Sequence, residues 1–172
     1  MAQPTDSAVP IERFGRCALL AWQHAVAARN EAPAERRRPA IMTGHVLLGV
    51  LQEPTCAGGL ILRKMGLDLQ LAIDTTRFML FYGRRRDGAE GEIVDWQNQP
   101  HTPEALRSIE DSLDEANLFH AGYPIGTEHL LLGLLRVTDG MGLSILKHFG
   151  ITHDGARHAR DTFWERLKLT EG

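Results

Sequence analysis

The side chains able to do chemistry are few and scattered. His45 and His129 each follow a threonine by two positions and precede a run of leucines. A metal ligand or an acid–base pair would be the chemical reading. Neither has a second histidine four residues on or a cysteine beside it, as a helical metal site needs. Both therefore read as histidines that bond the backbone at a helix start. His148, His153 and His158 recur every five residues. That spacing does not align them on one helix face, and a helix break at Gly150 parts the first two. Ser144 lies in Gly-Leu-Ser-Ile-Leu, which lacks the second glycine of a nucleophile elbow. Glu110, Asp111, Asp114 and Glu115 crowd one helix and read as a solvated face rather than an acid/base pair. Cys17 and Cys56, the two cysteines, are too few for a disulfide scaffold or a four-thiolate zinc site and are expected as buried thiols. The chain is expected not to be an enzyme, and to use no cofactor and no metal. Glu128 is at the least a carboxylate in a first helical turn, favourable to the helix dipole by about 0.3–1 kcal/mol.

Two arginine triplets remain. Arg36, Arg37 and Arg38 fall in one loop, and Arg84, Arg85 and Arg86 in another flanked by Tyr82 and Trp96. Basic patches with aromatics can hold nucleic acid. The net charge of −3 and the acids Asp87, Glu90, Glu92 and Asp95 beside the second triplet weigh against that, and favour solvated or partner-docking loops.

The elements that must position these groups follow from composition and pattern. A chain of 172 residues, 43% apolar and 24% charged, can bury a core of its own. Collagen-like, mucin-like and wholly disordered readings are excluded. The first ten residues lack a basic start followed by an apolar run, and no stretch approaches the roughly 18 apolar residues of a membrane helix. The expectation is a cytoplasmic protein without a membrane.

The chain repeats itself. Residues 41–67 read against 125–151 without a gap at an offset of 84, and 11 of the 27 pairs are identical, among them Thr43/Thr127, His45/His129, Gly49/Gly133, Gly58/Gly142 and Gly66/Gly150. Each unit reads as four helices, so the fold class expected is all-α: two pseudo-twofold-related four-helix repeats packed as one eight-helix domain. In the first, helices are expected over 11–29, 43–51, 56–65 and from the cap Asp68 to about 81. In the second, Thr102 caps a helix opened by Pro103. Thr127 caps the leucine-rich one, a third ends at Gly150, and Thr152 caps the fourth. Period-two alternation is scarce, so strands are not expected. The division is a flexible N-terminus 1–10, repeat 1 over 11–82, a connector 83–100 and repeat 2 over 101–169. Loop 30–40 and the connector are expected to be exposed.

The run Ile-Gly-Thr-Glu-His-Leu-Leu-Leu-Gly-Leu-Leu from Ile125, its continuation through Gly142, Ile145, Leu146 and Gly150, and the lead-in from Thr102 strongly resemble the Clp N-terminal domain. This is the double-repeat, eight-helix module at the front of Clp AAA+ unfoldases of the ClpC and ClpA type. The resemblance runs from about Ile11 to Leu167 and is degraded in the first half. It implies a protein-binding module that docks substrates or adaptors. A Gly-x-x-x-x-Gly-Lys-[Ser/Thr] phosphate loop is absent, so the resemblance further implies a stand-alone accessory, adaptor or regulator of a Clp protease. Its partners would be the Clp unfoldase or its substrates.

In ClpC-type domains the motif glutamate grips the guanidinium of phosphorylated arginine. A carboxylate accepts two parallel N–H bonds from a guanidinium, and a phosphate suits helix N-terminal amides. Carried over, this implies one phosphoarginine-type site in repeat 2, with Glu128, Thr127 and Thr102 as ligands and phosphoarginine-marked proteins as partners. In repeat 1 Gly44 replaces the glutamate, and no threonine stands at Ile11–Glu12. The alternative is a small nucleic-acid-associated regulator using the arginine loops.

Overall fold

The computed structural model describes residues 9–83 and 93–170. Arg84, Arg85, Arg86 and the first eight residues of the N-terminal segment lie outside them. A 3-10 turn (Ile11–Arg13) leads into α1 (Arg16–Glu31), α2 (Thr43–Leu51), α3 (Ala57–Lys64) and α4 (Leu69–Tyr82). A two-stranded hairpin, β1 (Val94–Trp96) and β2 (Gln99–His101), precedes α5 (Pro103–Phe119), α6 (Thr127–Arg136), α7 (Met141–His148) and α8 (His153–Thr170). The all-α, eight-helix architecture is as expected.

Local chemistry sets the helix ends. Asp68 accepts from the Leu71 N–H at 3.1 Å and Thr102 from the Ala105 N–H at 3.2 Å, capping α4 and α5. Gly66 (φ +87°) and Gly150 (φ +73°) close α3 and α7 in the left-handed region. There the N–H groups of Leu67 and Ile151 bond back to the Leu62 and Leu146 carbonyls at 3.0 and 2.9 Å. The first helix begins later than its pattern suggests, because Gly15 in extended conformation is its N-cap.

α2 and α6 form the centre, packed against α1 and α5 and against each other. Leu47, Leu48, Leu51, Leu131, Leu132 and Leu135 are all buried. A methyl on Gly49 would lie 2.0 Å from the Ala21 carbonyl oxygen, and one on Gly133 2.1 Å from that of Ser108. The repeated Leu-Leu-Gly thus records how closely each central helix crosses its neighbour.

The repeats are tied together by exchanged bonds. The Gly58 N–H donates to Thr127 Oγ1 at 2.9 Å, and the Gly142 N–H to Thr43 Oγ1 at 3.0 Å. The Gly15 and Ile125 N–H groups donate to the carbonyls of Ile125 and Arg13, while those of Thr102 and Ile41 donate to the carbonyls of Ile41 and Pro100. Each leading segment therefore lies along the other repeat.

Four expectations are corrected. The connector is not wholly an exposed coil: its end folds into the hairpin, and Trp96 is buried. Trp96 Nε1 donates to the Val9 carbonyl at 3.0 Å, and its ring packs on Phe14, Trp22 and His101. The cysteines are not free thiols. Cys17 and Cys56 form a disulfide with Cα atoms 6.2 Å apart. The carboxylates of α5 are only in part a solvated face: Asp114 is exposed and Glu110 partly so, but Asp111 and Glu115 are buried. Glu115 is 0% exposed and is ringed by Arg157 (3.0 Å), His153 (3.2 Å), Arg136 (3.5 Å) and Arg160 (3.5 Å), while buried Asp111 faces Arg107 and Arg136. Finally, loop 30–40 is partly anchored: Arg38 donates to the carbonyls of Leu80 (2.9 Å) and Gly83 (2.7 Å), capping the C-terminus of α4. Among the described residues no single helix is long and apolar enough to cross a membrane.

Candidate functional site

The two motif histidines hold the starts of the central helices. His129 Nδ1 accepts from the Gly126 N–H at 2.9 Å and His45 Nδ1 from the Met42 N–H at 3.0 Å. A ring nitrogen that accepts must be unprotonated, and burial reinforces this. Burial, then the charges of Arg29 and Arg38, push His45 down to about 3; burial, then Arg160, push His129 down to about 4. Both are backbone caps, as the sequence suggests.

Glu128 occupies the first turn of α6 and is 4% exposed. Its carboxylate folds back over the helix start, so that a methyl on Gly126 would lie 2.2 Å from Oε2. Burial raises its pKa, while its own backbone N–H and the charge of Arg160 work the other way. This is a carboxylate held out of water at a helix N-terminus, without a bonded cation of its own among the described residues.

In front of it lies a groove of about 520 Å³. The start of α1 contributes Gly15, Arg16 and Cys17, and the start of α3 contributes Cys56 and Leu60. Tyr123 lines it from the loop before α6, and Phe163, Trp164 and Leu167 from α8. Glu128 is the one carboxylate in this lining among the described residues. The disulfide lies in the same wall.

The three sequence-predicted ligands are not brought together. Thr127 is fully buried, and its hydroxyl is taken by the Gly58 N–H. Thr102 caps α5 and its N–H bonds the Ile41 carbonyl at 2.9 Å, which places it at the start of α2, beside Gly44 rather than Glu128. The residue in the matching position at Glu128 is Gly15, whose N–H bonds the Ile125 carbonyl at 2.9 Å. The lost threonine of the first half is therefore at Gly15, not at Ile11–Glu12. One half-site keeps its carboxylate without the threonine, and the other keeps its threonine without the carboxylate. The aromatic wall from α8 and Tyr123 was not singled out from sequence. Only the helix pattern of α8, with Phe163 on its apolar side, pointed there.

Gly44 cannot simply be restored to glutamate. A methyl there would lie 2.8 Å from Met141 Sδ and 3.1 Å from Leu80 Cδ2. Gly44→Glu is expected to create no second site and to destabilise the protein by about 1–3 kcal/mol through overpacking and a buried charge. Urea denaturation reads the stability loss; an unchanged midpoint would show that the position has room.

The profile of the Clp repeat (R) N-terminal domain family matches residues 100–172. ClpC ATP-binding subunits of ATP-dependent Clp proteases from Staphylococcus saprophyticus and Staphylococcus aureus are each 28% identical over 144 residues, covering 84% of this chain and 16% of theirs. The chain thus spans about a sixth of the length of these relatives. The N-terminal domain of the chaperone ClpD from Arabidopsis thaliana superposes with a TM-score of 0.65 at 21% identity, over 94% of this chain and 98% of that one. A chain from a malarial protein secretion system also superposes with a TM-score of 0.65, at 12% identity, over 90% and 96%. Repeated glycines and threonines at one offset, two central leucine helices and these matches agree: the second repeat meets the profile of the Clp repeat (R) N-terminal domain, and the chain as a whole is similar in sequence and fold to Clp N-terminal domains.

Proposed function

We propose that this chain is a docking module, an adaptor or regulator that works with a Clp AAA+ unfoldase, and that the groove at Glu128 receives an arginine-bearing segment of its partner. The observation that carries this is the carboxylate of Glu128, buried at the head of an aromatic-walled groove. A guanidinium entering there would pair bidentately with it, and its stem would lie on Tyr123 and Trp164. If the arginine is phosphorylated, the phosphate would meet the N–H groups that open α6. Of the three ligands expected from sequence, Glu128 is kept. Thr127 instead fastens α3, and Thr102 caps α5. Nucleic acid is the weaker reading, since Arg38 is tied to carbonyls and Arg36 rests on the ring of Tyr82.

Titration calorimetry with free phosphoarginine tests the reading. One ligand per chain is expected, because Gly44 offers no carboxylate at the other end. Glu128→Gln is expected to weaken binding by about 1.5–3 kcal/mol, the loss of a charged hydrogen-bond partner. No heat from the unaltered protein at millimolar ligand would remove phosphoarginine.

A further inference from the structure

Among the described residues the ionic cluster around Glu115 has no counterpart in the first repeat; a cavity stands in its place. The matching bonds of Gly15 and Thr102 set α1 and α5 in register at an offset of 87. Ala28 then takes the place of Glu115, Ala27 that of Asp114 and His24 that of Asp111. Shortening these side chains leaves a space of about 340 Å³ between α1, α2, α4 and the loop that carries the first arginine triplet.

The charge of its lining is one-sided. Arg36, Arg38 and Arg77 face it, and Glu31 is the one carboxylate in its lining among the described residues. Arg38 is fixed by two carbonyls of α4. Arg36 sits 4.4 Å over the Tyr82 ring. Arg77 has no bonded partner among the described residues. His24 is held by Glu53 at 2.9 Å. The positive field reaches inward, where Arg29 and Arg38 add to burial in pushing His45 down. Beside the opening lies an aromatic shelf: Phe78 and Tyr82, their ring centroids 5.1 Å apart and their planes tilted by 36°, are 60% and 59% exposed.

We propose that this cavity binds the acidic side chain of a partner peptide, a glutamate or aspartate whose apolar neighbour lies on the Phe78–Tyr82 shelf. Guanidinium groups pair with carboxylates in a planar fork, and the shelf supplies apolar area without further charge. A cavity of about 340 Å³ admits one side chain, not a nucleic-acid duplex. The two repeats would then select opposite charges, with an arginine at Glu128 and an acid between α1 and α4. The inference does not depend on the Glu128 reading, since the two sites share no residue.

Fluorescence anisotropy with a labelled Gly-Glu-Leu-Glu-Phe-Gly peptide and its glutamine counterpart provides the test. The acidic peptide is expected to bind about ten-fold more tightly than the neutral one, and to weaken as salt rises. Arg77 is exposed, so Arg77→Glu leaves the fold intact; it is expected to weaken the acidic peptide about ten-fold and to favour a lysine-substituted version. Equal binding of acidic and neutral peptides, no effect of Arg77→Glu, or no binding at millimolar peptide would each overturn the proposal. So would displacement of the peptide by a single-stranded oligonucleotide at lower concentration than by free acidic peptide.

Discussion

Acidification from about pH 7 to about pH 5 is expected to cost the protein up to about 5 kcal/mol of unfolding free energy. Three histidines cause this. His45, His101 and His129 are 2%, 0% and 1% exposed, and their pKa values are pushed down to about 3, 4 and 4. Burial is the leading cause in each. His101 is further fixed as a neutral ring, with Nδ1 donating to the Gln99 carbonyl at 2.8 Å and Nε2 accepting from Trp22 Nε1 at 3.5 Å. In the unfolded chain these rings take up protons near pH 6.5, about the ordinary histidine value. Between that value and the folded ones, the unfolded state holds more protons. Stability is therefore present above about 6.5 and lost as pH falls, by up to about 2 kcal/mol per ring at pH 5. Glu128 and Asp111, raised chiefly by burial, act in the opposite sense. Glu115 adds to the loss only at lower pH: burial pushes its carboxyl up, but the bonds and charges of His153 and Arg157 outweigh that and leave it lowered. Urea denaturation at the two pH values measures the effect. An equal midpoint at both would contradict three neutral, buried rings.

The second large effect belongs to the Cys17–Cys56 bridge. It closes a loop across a sequence separation of 39 residues, and a loop of that length contributes about 4 kcal/mol through the unfolded state. Reduction, or Cys17→Ser with Cys56→Ser, is expected to lower stability by that order. The loss should be felt most near Glu128. The bridge joins the start of α1 to the cap of α3, and from there Gly15 bonds the Ile125 carbonyl and Gly58 bonds Thr127. Amides of residues 125–129 are expected to exchange faster in the reduced protein. Unfolding midpoints that ignore a reducing agent would show that the thiols are not paired in solution.

Much of the fold was legible. The offset of 84 found the two units, and Thr102, Asp68 and Gly150 marked their helix ends by residue types with few other uses. The hairpin escaped because its strands are three residues each and one contains Pro100. Its turn is built on Gln97 and Asn98 (φ 53° and 58°) rather than on the usual glycine. The burial of Asp111 and Glu115 escaped because the arginines that cover them, Arg136 of α6 and Arg157 and Arg160 of α8, are brought to α5 only by the fold; Arg107 of α5 itself also faces Asp111. The site was half legible. Glu128 stands out by type and place, but sequence order groups Thr102 with it. The folded chain exchanges the leading segments between repeats, so Thr102 serves α2 and Gly15 serves α6. A three-residue difference in the first loop, an offset of 87 against 84, was the one trace of that exchange's true register.

Backbone amide mapping of the 15N-labelled protein with phosphoarginine tests the central claim most directly. Shifts are expected at residues 15–17, 123–129 and 163–167, which surround Glu128, and should vanish in Glu128→Gln. Shifts centred instead on residues 41–45 and 102–104, or shifts that survive Glu128→Gln, would contradict a docking site at Glu128.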